Sequence, residues 1–74
     1  MALGKVKWFD EERGFGFIVP IEGGTHLFAH YSEIQAGGPR SLSQGQTVEF
    51  VVKHGAKGLH ATAIRPVPLG PDPA

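Results

Sequence analysis

The sequence predicts a small all-β barrel, and three observations carry that expectation. Five short stretches have the composition and alternation of strands, each bounded by glycine, proline or acidic turn residues. No segment carries apolar residues at helical spacing over helix length. The chain has 74 residues and no cysteine, which allows one domain with a small core that no disulfide or cysteine-ligated zinc can staple.

The first strand is expected over Gly4–Phe9, with Lys5 and Lys7 on one face and Val6 on the other. Strict alternation would place Trp8 with Val6, inside. Trp8 and Phe9 are consecutive, however, so one of them must face outward or the strand must change phase. Asp10-Glu11-Glu12-Arg13 reads as a turn, and Gly14 to Pro20 as the second strand. Two glycines alternate there with two phenylalanines, and glycine weakens a strand, so the pattern Gly14-Phe15-Gly16-Phe17 needs a reason. Phe15 and Phe17 share one face; Gly14, Gly16 and Ile18 share the other. Taken alone the stretch favours buried phenylalanines, because most phenylalanines are buried. Pro20, without an N–H for the ladder, ends the strand.

After a turn at Glu22–Thr25, His26–Tyr31 forms the third strand, with Leu27 and Ala29 inward and Phe28 and His30 outward together. Ser32-Glu33-Ile34-Gln35 has capping-box spacing and predicts one helical turn, stopped by Gly37-Gly38-Pro39. Ile34 and Leu42 anchor the loop that follows. Thr47–Lys53 is the fourth strand, with Val48, Phe50 and Val52 in and Glu49, Val51 and Lys53 out. A glycine-flanked loop, His54–Gly58, leads to a fifth strand over Leu59–Arg65 with Ile64 in the core. From Pro66 the composition changes: Pro66, Pro68, Pro71 and Pro73 predict an extended, mobile tail. The domain organisation is therefore a barrel over residues 1–65 and a proline-rich tail over 66–74.

Val6, Ile18, Leu27, Ala29, Ile34, Val48, Phe50, Val52 and Ile64 already supply a core. A barrel of this size cannot easily house one tryptophan, one tyrosine and five phenylalanines as well. Some aromatics must be exposed, and clustered exposed aromatics mark a binding surface. A nucleic-acid base stacked on such a ring gains about 1–3 kcal/mol, largely regardless of which base it is.

Seven Lys/Arg balance seven Asp/Glu, which argues against a purely electrostatic binder and leaves a stacking binder open. The N-terminus lacks the apolar region of a signal peptide, and no run approaches the roughly 20 apolar residues of a membrane span. The expectation is a soluble protein of the cytoplasm. Gly14 and Gly16 lack a third glycine at dinucleotide spacing, and neither a phosphate-binding loop nor a serine nucleophile motif occurs. His26 and His30 would stand about 13 Å apart on a strand, too far to share a metal. His54 and His60 lack acidic companions. No catalytic residue, metal or cofactor is expected.

At this point the residues resemble a known family, the bacterial cold-shock proteins, from Leu3 to Ile64. The likeness rests on Gly4-Lys5-Val6-Lys7-Trp8-Phe9, Arg13-Gly14-Phe15-Gly16-Phe17-Ile18 and Leu27-Phe28-Ala29-His30-Tyr31-Ser32, with Ile34-Gln35, Gly45-Gln46 and Gly55-Ala56-Lys57-Gly58 in support. The resemblance implies a five-stranded antiparallel oligonucleotide-binding barrel, the OB-fold. It puts Phe15, Phe17, Phe28 and His30 on the outer face with Trp8 and Tyr31 beside them. That overrides the phase argument for Trp8 and requires a local twist or bulge in the first strand. Phe9 lies at the edge, between contact and packing.

The implied function is binding of single-stranded RNA or DNA with low sequence specificity, as an RNA chaperone in cold adaptation and in regulation of transcription or translation. The implied binding residues are Lys5, Lys7, Trp8, Asp10, Arg13, Phe15, Phe17, Phe28, His30, Tyr31, Lys57 and His60. The implied state is a monomer, with a strand-exchanged dimer as the alternative. The chain departs from the family pattern at Asp10, commonly asparagine, at Pro39, commonly aromatic, and at Leu59-His60, commonly proline and glutamine. A carboxylate at position 10 only accepts hydrogen bonds and repels phosphate. An RNA-recognition-motif fold would need two amphipathic helices that this sequence lacks. The competing functional reading is a protein-interaction module that uses the same aromatic face.

Overall fold

Each predicted strand has a counterpart in the computed structural model of the protein, which describes residues 2–35, 42–56 and 58–67. The strands are β1 (Ala2–Asp10), β2 (Phe15–Pro20), β3 (Leu27–His30), β4 (Thr47–Gly55) and β5 (Gly58–Pro66). They close into a barrel in the order β1-β2-β3-β5-β4. This is the expected five-stranded all-β barrel, with one seam of different sense. β3 and β5 meet in parallel, through the pair Phe28 and His60, while the other four ladders are antiparallel. A second parallel bridge, Ile34 to Ile64, extends that short seam.

β1 serves two neighbours. Its first residues, Ala2 to Lys5, pair with Phe50 to Thr47 of β4, and Gly4 to Asp10 pair with Pro20 to Phe15 of β2. The β2 register breaks at one point: Val6 pairs with Ile18, but Trp8 pairs with Phe17. Lys7 is thus one residue more than β2 can match, the signature of a β-bulge. The backbone groups of Val6 are satisfied from the loop before β4, its N–H donating to Gln46 O at 2.9 Å and its carbonyl accepting from Gly45 N at 2.7 Å.

The core consists of Val6, Ile18, Leu27, Ala29, Ile34, Leu42, Val48, Phe50, Ala61 and Ile64, none more than 5% exposed. Eight of these were expected in the core, and Leu42 was expected as a loop anchor. Val52 corrects the expectation, because it is 43% exposed. The alternation along β4 is intact, and Val52 shares a rung with the buried Ala61. From Val52 to Gly55, however, every residue of β4 is exposed. The β4–β5 ribbon runs on past the end of the barrel, where an inward-phased side chain meets solvent. Ala61 was missed because an alanine carries little apolar signal.

The predicted helical turn exists as a 3₁₀ turn over Tyr31–Glu33, one residue earlier than its sequence signal. The expected Ser32–Gln35 capping box does not form its cap. His30 is the N-cap, its ring accepting from Ser32 N, while Gln35 N–H donates to Ile64 O at 2.8 Å and ties the turn to β5. β5 reaches Pro66, and Val67 N–H donates to Thr47 O at 3.0 Å. Pro39, Lys57 and residues 68–74 lie outside the described residues.

Urea denaturation separates core from ribbon. Phe50→Ala should cost about 3–5 kcal/mol, as truncation of a fully buried ring does. Val52→Ala should cost less than about 1 kcal/mol, as most substitutions at exposed positions do. Equal losses would show that the ribbon end is packed.

Candidate functional site

The bulge decides the surface chemistry. By skipping Lys7 in the register, β1 turns Trp8 outward and lets Phe9 pack against the core. Trp8 now opposes Phe17, Phe17 opposes Phe28, Phe28 opposes His60 and His60 opposes Lys53. Residues directly opposite in a ladder share a face. One continuous row of side chains therefore crosses all five strands on the outside of the barrel. A second row runs beside it, from Asp10 through Phe15 to His30.

The rings of the two rows touch. Trp8 lies 5.8 Å from Phe15 and 5.4 Å from Phe17, centroid to centroid. Phe28 lies 5.7 Å from Phe15, nearly parallel at 30°, and 5.8 Å from Phe17, edge-on at 76°. His30 continues the surface 6.4 Å from Phe28 and 4.6 Å from Tyr31. Such pairs stabilise one another beyond simple burial, which holds the platform in shape without covering it. Trp8 and Phe28 remain 38% exposed and Tyr31 45%; Phe15, Phe17 and His30 are half-buried.

The two puzzling glycines belong to this construction. At Gly16 a Cβ would stand 2.1 Å from Trp8 O and 2.7 Å from Phe9 Cα. Only a residue without a side chain lets the bulged β1 lie so close over β2. Gly14 has φ +77°, and a Cβ there would meet Tyr31 Cδ2 at 2.5 Å. Tyr31 N–H also donates to Gly14 O at 2.9 Å. One glycine seats the bulge and the other seats the tyrosine.

His30 and Asp10 are fixed by the backbone around them. The His30 Nδ1 atom accepts from Ser32 N at 3.2 Å and lies 2.8 Å from Ser32 Oγ. Because a backbone N–H can only donate, Nδ1 acts as the acceptor and the ring is held in a set orientation. Asp10 Oδ1 accepts from Glu12 N at 2.9 Å and Arg13 N at 3.2 Å, and Gly14 N–H donates to Asp10 O at 2.7 Å. Asp10 is thus the staple of the β1–β2 turn.

Of the predicted site residues, Trp8, Asp10, Phe15, Phe17, Phe28, His30, Tyr31 and His60 are brought together on this face. Lys5 and Lys7 are exposed on β1, and Arg13 is exposed in the turn beside Asp10. Lys57 lies outside the described residues. Lys53, absent from the predicted set, stands at the end of the long row. Its signal was the β4–β5 register, which no local sequence pattern reveals. Arg65 is directed elsewhere, its Nε donating to Glu49 Oε1 at 2.9 Å beside an open groove lined by Gln35, Pro66 and Val67. That groove shares no residue with the two rows. Among the described residues, no three His, Asp or Glu side chains gather as a metal site would require, and no helix is long and apolar enough to cross a membrane.

Comparison with known proteins gives a consistent result. Residues 2–67 match the model of the 'Cold-shock' DNA-binding domain. The chain is similar to the Cold shock-like protein CspD of Escherichia coli K12, with 55% identity over 67 residues and 90% of each chain covered. It is similar also to the Cold shock-like protein CspA of Bordetella pertussis, with 55% identity over 65 residues, 88% of this chain and 97% of that one. Among solved structures, the chain described as drosophila Unr CSD456 superposes with a TM-score of 0.75 at 27% identity. That match covers 99% of this chain, which spans 28% of the other.

The seating of the bulge is open to test. Gly16→Ala should destabilise the barrel by about 1–3 kcal/mol, the usual cost of forcing atoms into a filled space, and should shift Trp8 emission in the folded protein. Unchanged stability and emission would mean that β1 does not press on Gly16.

Proposed function

The chain belongs to the cold-shock DNA-binding domain family, and we propose that it captures single-stranded RNA and DNA by stacking bases on the two outer rows. The observation that carries this reading is the continuous ring surface of Trp8, Phe15, Phe17, Phe28, His30 and Tyr31, which the β3–β5 pairing extends to the position of His60. A flat aromatic face offers every base the same contact, so the preference among sequences is weak. Lys5, Lys7, Arg13 and Lys57 meet the backbone phosphates around the rings, and residues 66–74 lie outside the binding unit.

The protein acts by binding alone. It captures strands whose bases are already free, and by mass action it shifts weak secondary structure toward the open form. That is the action of an RNA chaperone in the cytoplasm, working as a monomer in cold adaptation and in control of transcription or translation. Duplexes are poor ligands because their bases are already stacked and buried.

Titration of a labelled oligonucleotide, single-stranded and then annealed to its complement, tests this directly. The single strand should bind and the duplex should not; equal affinity for both would sink the proposal. Phe15→Ala, Phe17→Ala and Phe28→Ala should each weaken single-strand binding by about 1–3 kcal/mol. Salt provides an independent check. Two to four phosphates neutralised, at about −0.7 of log–log slope per single-strand phosphate, give a slope of roughly −1.5 to −3. A slope steeper than about −5 would make charge the origin of binding and the rings an accessory.

A further inference from the structure

Asp10 sets an acceptor-only group among the stacking rings. It pairs across the ladder with Phe15, whose ring centroid lies 5.8 Å from that of Trp8. Opposed side chains on one face start roughly 5 Å apart. The Asp10 side chain therefore leaves the backbone on the face that carries the rings, next to the one on which Phe15 stands.

The two carboxylate oxygens have different duties. Oδ1 accepts from Glu12 N and Arg13 N, which occupies its lone pairs and fixes the group in the turn. Oδ2 lies 3.8 Å from Arg13 Nε, an ion-pair distance too long for a hydrogen bond. The Asp10 side chain is 38% exposed. Oδ2, on the same fixed side chain, accepts no hydrogen bond among the described residues. The nearby Arg13 offsets part of its charge toward phosphate, while Glu11 and Glu12 are exposed beyond it.

We propose that Asp10 selects guanine for the base stacked at this end of the ring surface, an inference that rests on the single-strand reading above. The reason lies in the base edges. Guanine alone presents two neighbouring donors, N1–H and N2–H2, that can converge on an acceptor. Adenine, cytosine and uracil each offer a single donor group: on adenine and uracil it lies between ring-nitrogen or carbonyl acceptors, and on cytosine the N4 amino group has no second donor beside it. An amide at this position would keep its oxygen on the turn and present its NH2 outward, a donor that guanine N1–H and N2–H2 cannot pair with. Asp10 therefore adds a base preference to a face whose rings have little.

The test uses the full chain and short uridine oligonucleotides in which one central base is guanine, inosine or uracil. Inosine keeps N1–H and loses only the N2 amino group, so the ligand change leaves the protein untouched. The guanine strand should bind about fivefold more tightly than the inosine or uracil strand, the low end of what a paired base contact contributes. Asp10→Asn retains an acceptor for the Glu12 and Arg13 amides while placing a donor at the open position. It should reduce the guanine advantage to less than about twofold and tighten the all-uridine strand. Equal binding of guanine and inosine strands by the unmodified protein would overturn the assignment, as would an undiminished guanine advantage in a folded Asp10→Asn variant. Failure of every strand to bind would instead overturn the single-strand reading itself.

Discussion

The structure depends on one close crossing, where the bulged backbone of β1 lies on Gly16 of β2. A sheet this small must bend sharply to close on itself, and an extra residue in one strand supplies the local bend and twist. The same extra residue, Lys7, reverses the alternation of β1, so that Trp8 faces solvent and Phe9 packs against the core. Closure of the barrel and exposure of the tryptophan are consequences of a single register shift. Gly16 is the condition for both, since any side chain there would collide with Trp8 O.

Once Trp8 is outside, the ladder registers align it with rings from two more strands and with His60 of the parallel β3–β5 seam. The seam is short, yet it brings Phe28 and His60 side by side and ties the 3₁₀ turn to Ile64. A surface of this kind suits a chain whose formal charge is zero. Attraction to a polyanion by net charge is absent, so contact with the bases must contribute most of the affinity, and the few cations serve to align the backbone. Asp10 fits the same logic. A carboxylate beside a nucleic-acid face is costly if charge drives binding, but it becomes a means of selection where stacking does.

Much of this was legible in the residues. The five strands follow from alternation and turn chemistry, seven core positions follow from the same pattern in β1 to β5, and Ile34 was legible as a loop anchor. The alternation argument also showed that Trp8 and Phe9 could not both be inside without a change of phase, although strict alternation put Trp8 rather than Phe9 in the core. The likeness to cold-shock proteins resolved that point toward a bulge before the register was known. What remained hidden was non-local. Val52 has the right phase for the core, but its exposure depends on where the barrel ends, which no strand pattern contains. Lys53 joins the ring row only through pairings across β4, β5 and β3, whereas His60 was named by the likeness to cold-shock proteins. The cap of the 3₁₀ turn is His30, whose ring accepts from Ser32 N, so the turn starts one residue before the Ser32–Gln35 pattern. Gly14 and Gly16 stood out as needing a reason, and the reason, close approach of Tyr31 and of the β1 backbone at Trp8, lies in the tertiary structure.

The central claim is that bases, rather than phosphates, are what the ring surface holds. Trp8 is the single tryptophan of the chain and lies within that surface, so its fluorescence reports contact there directly. The decisive measurement is a pair of Trp8 titrations at moderate salt, one with a short single strand and one with an abasic strand of equal length and charge. Stacking on the rings predicts strong quenching and saturation with the first, and neither with the second. Equal affinity for the abasic strand would contradict it.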